Sequence, residues 1–164
     1  MLERLLPPDR PPTGWRRLLL RSPVYLYRIG LGRLFGHRML VIIHRGRRSG
    51  NIYRTPVEVA SYDPATDESI VPSGWGPQAD WYRNIQASPA IEIWLAGRRF
   101  RPEQRFLSES EAATVMADYA RRHPRGAREL TRWMLGRPYD NAHDAGQALS
   151  AKVPFVGFRP ASPP

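Results

Sequence analysis

The sequence predicts a small, barrel-like α+β domain, on three observations. Short apolar or alternating runs are separated by tight turns bearing Gly, Asn or Asp, the pattern of antiparallel strands. Helix signals stand between and after those runs, including a capping box at Ser108-Glu109-Ser110-Glu111. The chain has 164 residues, 41% of them hydrophobic and 24% charged, enough for one domain with a real core.

The elements follow in order. Met1–Gly14 is proline-rich and broken by charges, and is read as irregular. One domain occupies the rest, residues 15–164. It opens on a kinked helix, in which Trp15, Leu18 and Leu19 keep helical spacing. Ser22-Pro23 restarts that helix, with serine as N-cap and proline at the first position. Tyr25, Leu26, Ile29 and Leu34 form its apolar side up to about Gly36, and Gly30 and Gly32 weaken it by up to ~1 kcal/mol each. Strands are expected over Arg38–Arg45, Ile52–Ser61 and Glu68–Ser73. In the middle one Tyr53, Thr55, Val57 and Val59 face one way, and Arg54 and Glu58 the other. Asp63-Pro64 through Asp67 is a turn cluster. Gly76-Pro77 opens a short helix, Pro77–Ala87, with Trp81 and Ile85 at i, i+4. Ala90–Leu95 and Arg98–Leu107 make a hairpin across Ala96-Gly97. The capping box starts a helix to about His123, and a second covers Arg125–Leu135. Val153–Phe158 is a last strand before a tail, Pro160–Pro164.

Charge narrows the partners. The formal net charge is +10, which suits a polyanionic small molecule, nucleic acid or an anionic surface. From Arg10 to Val57 there are eleven arginines and no Asp, Glu or Lys; Lys152 is the one lysine. A guanidinium grips phosphate or carboxylate with two parallel bonds, which an ammonium cannot do. The chain has no cysteine, so disulfides, thiolate catalysis and zinc-thiolate sites are excluded. A reducing compartment is permitted. The longest apolar run near the front, Met39–Ile43, is far too short for a membrane span, and no signal peptide is seen. The expected location is cytoplasmic. A peripheral contact at the inner face of the membrane stays open, because Trp15–Phe35 is basic, aromatic and partly amphipathic. The arginines and aromatics match no nucleic-acid motif. His37, His44, His123 and His143 lack metal-ligand spacing, and no metal is expected. Neither GxGxxG nor a Walker-type phosphate loop occurs.

Two segments carry the chemistry. VIIHRGRRSGNIYRTP, Val41–Pro56, reads as strand, basic turn and strand. Gly46 and Gly50 allow backbone angles that other residues avoid. Arg45, Arg47 and Arg48, with the hydroxyl of Ser49, offer guanidinium forks and N–H groups to an anion of several oxygens. A solvated hairpin loop is the plain alternative. SGWGPQADWYRNI, Ser73–Ile85, brings glycines that permit close approach to a flat ring, then a helix start whose dipole favours an anion. Here a simple turn into a helix is the plain alternative.

Together these segments resemble the deazaflavin-dependent nitroreductase family, a branch of the split-barrel flavin and deazaflavin oxidoreductases. The resemblance covers roughly Tyr25–His123 and Val153–Phe158. It implies an α+β split β-barrel with flanking helices, and coenzyme F-420, an 8-hydroxy-5-deazaflavin with a phosphodiester and a polyglutamate tail. FMN is the less favoured cofactor. The implied reaction moves a hydride to a quinone, nitro compound or similar electron-poor small molecule. The cofactor carries that chemistry, so no catalytic side chain is assigned. Arg47, Arg48, Ser49 and Gly50 match the family's basic pair followed by Ser-Gly, and Arg54, Thr55 and Pro56 match the strand that follows. His44 and Arg45 stand where relatives carry threonines. Ser73, Gly74, Trp75 and Gly76 would pass the ring. Many relatives are small at Trp75, which either stacks on the ring or walls the acceptor pocket. Trp81 is core or ligand-binding, Arg83 a tail or phosphate contact, and Asn84 a cap or loop brace. The alternative function is a split-barrel protein that binds fatty acid, FMN or haem without turnover. Monomer and homodimer are both open.

Overall fold

The computed structural model describes residues 31–139 and 141–161. The irregular N-terminus and most of the expected kinked helix lie outside the described residues; its last part, Leu31–Phe35, is a 3-10 turn. Mixed helix and sheet follow, with two four-stranded antiparallel sheets. The first has the order β2-β1-β5-β6 and the second β3-β4-β8-β7. The strands are β1 Met39–Arg45, β2 Ile52–Glu58, β3 Ser61–Asp63, β4 Glu68–Pro72, β5 Glu92–Leu95, β6 Arg98–Phe100, β7 Pro102–Phe106 and β8 Phe155–Pro160. The helices are α1 Asp80–Ala87, α2 Glu109–Arg122, α3 Pro124–Leu135 and α4 Ala142–Ser150.

Two expected strands divide between the sheets. The run Ile52–Ser61 leaves the first sheet after Val59, whose N–H still donates to Arg38 at 2.9 Å. The next residue, Ala60, donates instead to Ile70 of the second sheet at 2.8 Å. The run Arg98–Leu107 crosses at Arg101, between β6 and β7. Alternation continues through each run, so the sequence pattern alone does not mark the crossings. Pro102, which has no donor, starts β7 at the edge of its sheet, where a ladder bond is not missed.

Alternating faces build the core. Leu40 and Ile42 of β1, Ile93 and Leu95 of β5, Val71 of β4 and Val156 and Phe158 of β8 join one cluster drawn from both sheets. Trp81, Tyr82 and Ile85 of α1 belong to it. Burying a side chain of this size contributes roughly 1.5–3 kcal/mol. The opposite faces of β4 and β8 give Ile70 and Phe155 to a second cluster, with Ala112 and Met116 of α2 and Leu149 of α4. Helix α4 was not expected. Its stretch is rich in small residues and lacks a long apolar stripe, but Asn141 caps it by accepting from Asp144 N–H at 2.8 Å. Gly146 lets it lie close on α2, since a Cβ there would meet Ala113 O at 2.5 Å. The capping box at Ser108 forms in full. The hairpin turns at Ala96 and Gly97, with φ of 49° and 79°, as a primed two-residue turn requires. Among the described residues no helix is long and apolar enough to cross a membrane.

Candidate functional site

The turn between β1 and β2 is tight and fixed. Gly46 N–H donates to Asn51 O and Gly50 N–H to Gly46 O, both at 2.8 Å. A Cβ on Gly46 would lie 2.6 Å from Ser49 Oγ and 2.7 Å from the Tyr53 ring, so a larger residue there would displace those side chains. Gly50 has φ of +69°. Ser49 Oγ accepts from Asn51 N–H at 3.3 Å and shares a hydrogen bond with Tyr53 Oη at 3.1 Å. The Arg45 guanidinium donates to Gly50 O at 3.0 Å.

Helix α1 holds the turn from below through one amide. Asn84 is 4% exposed. Its Oδ1 accepts from the Arg47 backbone N–H at 3.0 Å and from Arg47 Nη1 at 2.9 Å. The same guanidinium pairs with Asp80 at 3.0 Å. Arg47 is therefore largely spent on anchoring. Arg48, Ser49 and Gly50 stay exposed. Among the described residues nothing accepts from the Arg48 guanidinium or from the N–H groups of Arg48 and Ser49. Two N–H groups and a guanidinium without acceptors on one exposed turn are donors that an anion can use.

His44 lies below the turn, 2% exposed, on the β1 face that also carries Leu40 and Ile42. Its Nδ1 faces Asn84 Nδ2 at 3.2 Å and its Nε2 faces Thr55 Oγ1 at 3.0 Å. The Tyr53 ring stacks against it at 5.8 Å. Burial lowers its pKa to about 4, against a smaller upward pull from Asp80. At neutral pH His44 is uncharged. Sequence reading took it only as a departure from the family; the alternation of β1, which turns it inward, was the available signal.

Strand β2 separates its candidates. It is an edge strand, a position that tolerates Pro56, which has no N–H to donate. Thr55 is on the face of His44. Arg54, paired with Ile43, is on the other, with its guanidinium 5.9 Å from the centre of the Trp94 ring. Period 2 thus puts Thr55 in the site and Arg54 behind it.

Ser73–Gly76 leads from β4 into α1. Ser73 is fully buried and used internally: its N–H donates to Pro154 O at 2.8 Å and its hydroxyl to Gly76 O at 2.7 Å. Gly76 has φ of +70°. Gly74 is exposed, and a Cβ there would meet nothing within 4 Å. The fold itself does not require glycine at that position. Trp75 is half-buried against the core. Trp81, 6% exposed, is core, and supports the site from beneath. Arg83 is exposed and reaches Gln78 at 3.5 Å. A separate cavity of about 260 Å³, lined by Leu107, Val153, Phe155 and Lys152 among others, touches this region at Pro77. Among the described residues no cluster of acidic or histidine side chains could hold a metal.

The two antiparallel sheets thus carry a clamped, cationic turn on one side of α1 and a glycine-containing turn at its start. The chain belongs to the family described as F420H(2)-dependent quinone reductase, whose model matches residues 20–131. It is thereby an oxidoreductase of the deazaflavin class, with coenzyme F-420 as cofactor. Among solved structures it is similar to the F420-H2 dependent reductase FDR-A, at 14% identity and a TM-score of 0.50, over 76% of this chain and 96% of that one. A protein of unknown function from Agrobacterium tumefaciens is similar at 14% identity and a TM-score of 0.50, over 96% of this chain and 60% of that one. A domain-swapped dimer is similar at the same values, over 84% and 100%. At this identity the likeness is one of fold. No curated protein matches the chain.

The turn fits the phosphodiester and acidic tail of such a cofactor. Free N–H groups and Arg48 face outward, and Asp80 is the one carboxylate bonded to the turn among the described residues.

Proposed function

We propose that this protein reduces an electron-poor small molecule of the quinone or nitro class, with F-420 held between the Arg45–Gly50 turn and the Ser73–Gly76 turn. The observation that carries this reading is the clamp of Arg47 by Asn84. It freezes the turn while leaving the Arg48 guanidinium and the N–H groups of Arg48 and Ser49 free for an anion. The reduced cofactor supplies a hydride, and a solvent proton completes quinone reduction to a quinol. The chain's part is placement. Arg45, Arg48 and the Ser49 N–H hold the anionic portion, Gly50 closes the turn that presents them, and Arg83 extends the positive surface along α1 toward the tail. Thr55 and Gly74 border the ring, and Pro56 keeps the edge of β2 unpaired. Trp75 walls the acceptor side, while Ser73, Gly76 and Trp81 hold that wall. Arg54, on the opposite face, acts through the field rather than by contact.

In this reading the sheets are the halves of a split barrel, joined where the chain crosses at Val59–Ala60 and at Arg101, in one domain. Sedimentation decides between monomer and homodimer. The functional test mixes the protein anaerobically with reduced F-420 and a short-chain quinone and follows the coenzyme's absorbance. Catalysed reoxidation supports the reading. Tight binding without turnover of any quinone or nitro acceptor contradicts it, and favours a storage or carrier role.

A further inference from the structure

The hydrogen bonds below the turn have a fixed direction, and this inference rests on the deazaflavin reading above. Asn84 Oδ1 accepts from two Arg47 N–H donors, at 3.0 and 2.9 Å, which settles the orientation of the amide. Nδ2 must then donate, so His44 Nδ1, 3.2 Å away, accepts. A neutral imidazole that accepts at Nδ1 carries its proton at Nε2. That proton points to Thr55 Oγ1 at 3.0 Å. With one lone pair engaged, the Thr55 hydroxyl is turned to donate, and among the described residues it finds no acceptor. Thr55 is half-buried on the inner face of an edge strand, beside the anion-binding turn.

We infer that His44 is a positioning residue, which passes the clamp at Arg47 on to Thr55 and aims the Thr55 hydroxyl hydrogen at an acceptor atom of the bound ring. The turn that grips the tail and the strand that borders the ring thereby share one polarity. A second proton on His44 would put N–H against N–H at Asn84 and break the relay. Asn84, Thr55 and Tyr53 touch the ring, and Asp80 is the charge that favours that proton. Hydrophobic burial by itself would not specify the Thr55 rotor; a directed chain does.

Two measurements test this. Nitrogen NMR of the ligand-free protein at neutral pH should show the Nε2–H tautomer at His44; the Nδ1–H tautomer would overturn the relay. Titration with F-420 should give about fivefold to tenfold weaker binding for His44→Leu and for Thr55→Val, the scale of one hydrogen bond. The double variant should bind no more weakly than Thr55→Val alone, because His44 acts through Thr55. His44→Gln, which can still donate to Thr55, should stay within about threefold of the unaltered protein. Multiplying effects in the double variant, or unchanged affinity in His44→Leu, would overturn the inference. If His44→Leu does not fold, the tautomer and His44→Gln decide. Failure of the unaltered protein to bind F-420 would overturn the functional reading and this inference together; binding with multiplying effects would overturn this inference alone.

Discussion

Arginine is used differently at the two sheets. At the second sheet it meets carboxylates, Arg105 with Glu68 and Glu111 at 2.7 Å and Arg159 with Glu103 at 2.6 Å, and Arg98 at the far edge of the first sheet, on β6, pairs with Asp67 at 2.8 Å. At the β1–β2 turn of the first sheet only Arg47 has a carboxylate partner, Asp80. Arg45 donates to a backbone carbonyl, Arg54 lies over an indole, and Arg48 meets no acceptor among the described residues. Fold-neutralised arginines add surface pairs of small value. Uncompensated ones, on a turn frozen by buried hydrogen bonds, store positive potential for a ligand. The difference separates the arginines that shape the molecule from those that the proposed function assigns to the ligand.

The largest expected effect comes from removing the clamp between the two uses. Asn84→Ala strips buried partners from Arg47 N–H and His44 Nδ1 at once. It should destabilise the protein by about 3–4 kcal/mol in denaturant unfolding and weaken F-420 binding. A loss below about 1 kcal/mol would show that the turn holds itself.

Acid probes the same clamp. The folded pKa of His44 lies near 4, below its ordinary 6.5, so between these values the unfolded chain binds a proton that the folded one refuses. Stability should therefore fall as pH drops from about 6.5 to 4, by up to about 3 kcal/mol. His44→Gln should flatten that window. At the second sheet, Glu111 is held down to about 2 by the Ser108 N–H and hydroxyl and by Arg105, so its contribution is lost only at lower pH, below about 4.5. Unfolding curves across pH separate the two regions; an identical profile in His44→Gln would remove the histidine from the account.

Arg48→Ala should weaken F-420 binding by about 2 kcal/mol in calorimetry, the scale of a charge-assisted bond, with melting temperature unchanged. Arg105→Ala should do the reverse, costing no more than about 1 kcal/mol of stability and leaving affinity alone. A drop in affinity in Arg105→Ala would erase the contrast between the sheets.

Trp75→Gly sharpens the acceptor side. If the indole walls the pocket, bulky quinones should gain activity while F-420 affinity changes only a few-fold. Weakening by on the order of 1 kcal/mol with an unaltered acceptor range would place the indole on the ring instead.

What the sequence revealed follows the same division. Local chemistry was legible: the apolar run of β1, the capping box at Ser108, the primed turn at Ala96-Gly97, and the glycines that close the basic turn. Properties set by tertiary contact were not. Ile52–Ser61 and Arg98–Leu107 read as single strands because alternation survives the step from one sheet to the other. Helix α4 has small residues where a periodic stripe would have shown it. Arg47 and Arg48 look alike in sequence, and only α1, brought beneath the turn, makes one an anchor and leaves the other free. His44 reads in the sequence only as a departure from the family; its two partners come from β2 and α1, eleven and forty residues away.

The most direct test is calorimetric titration of the unaltered protein and Arg48→Ala with F-420 and with FMN, at low and high salt. The expected result is tighter binding of F-420 than FMN by the unaltered protein, weakening with salt because exposed charges are screened over about 8–10 Å, and a smaller preference in Arg48→Ala. FMN binding as tightly as F-420, or an affinity for F-420 that ignores both salt and Arg48, would contradict the claim that the free arginine face of the turn exists to hold an anionic deazaflavin.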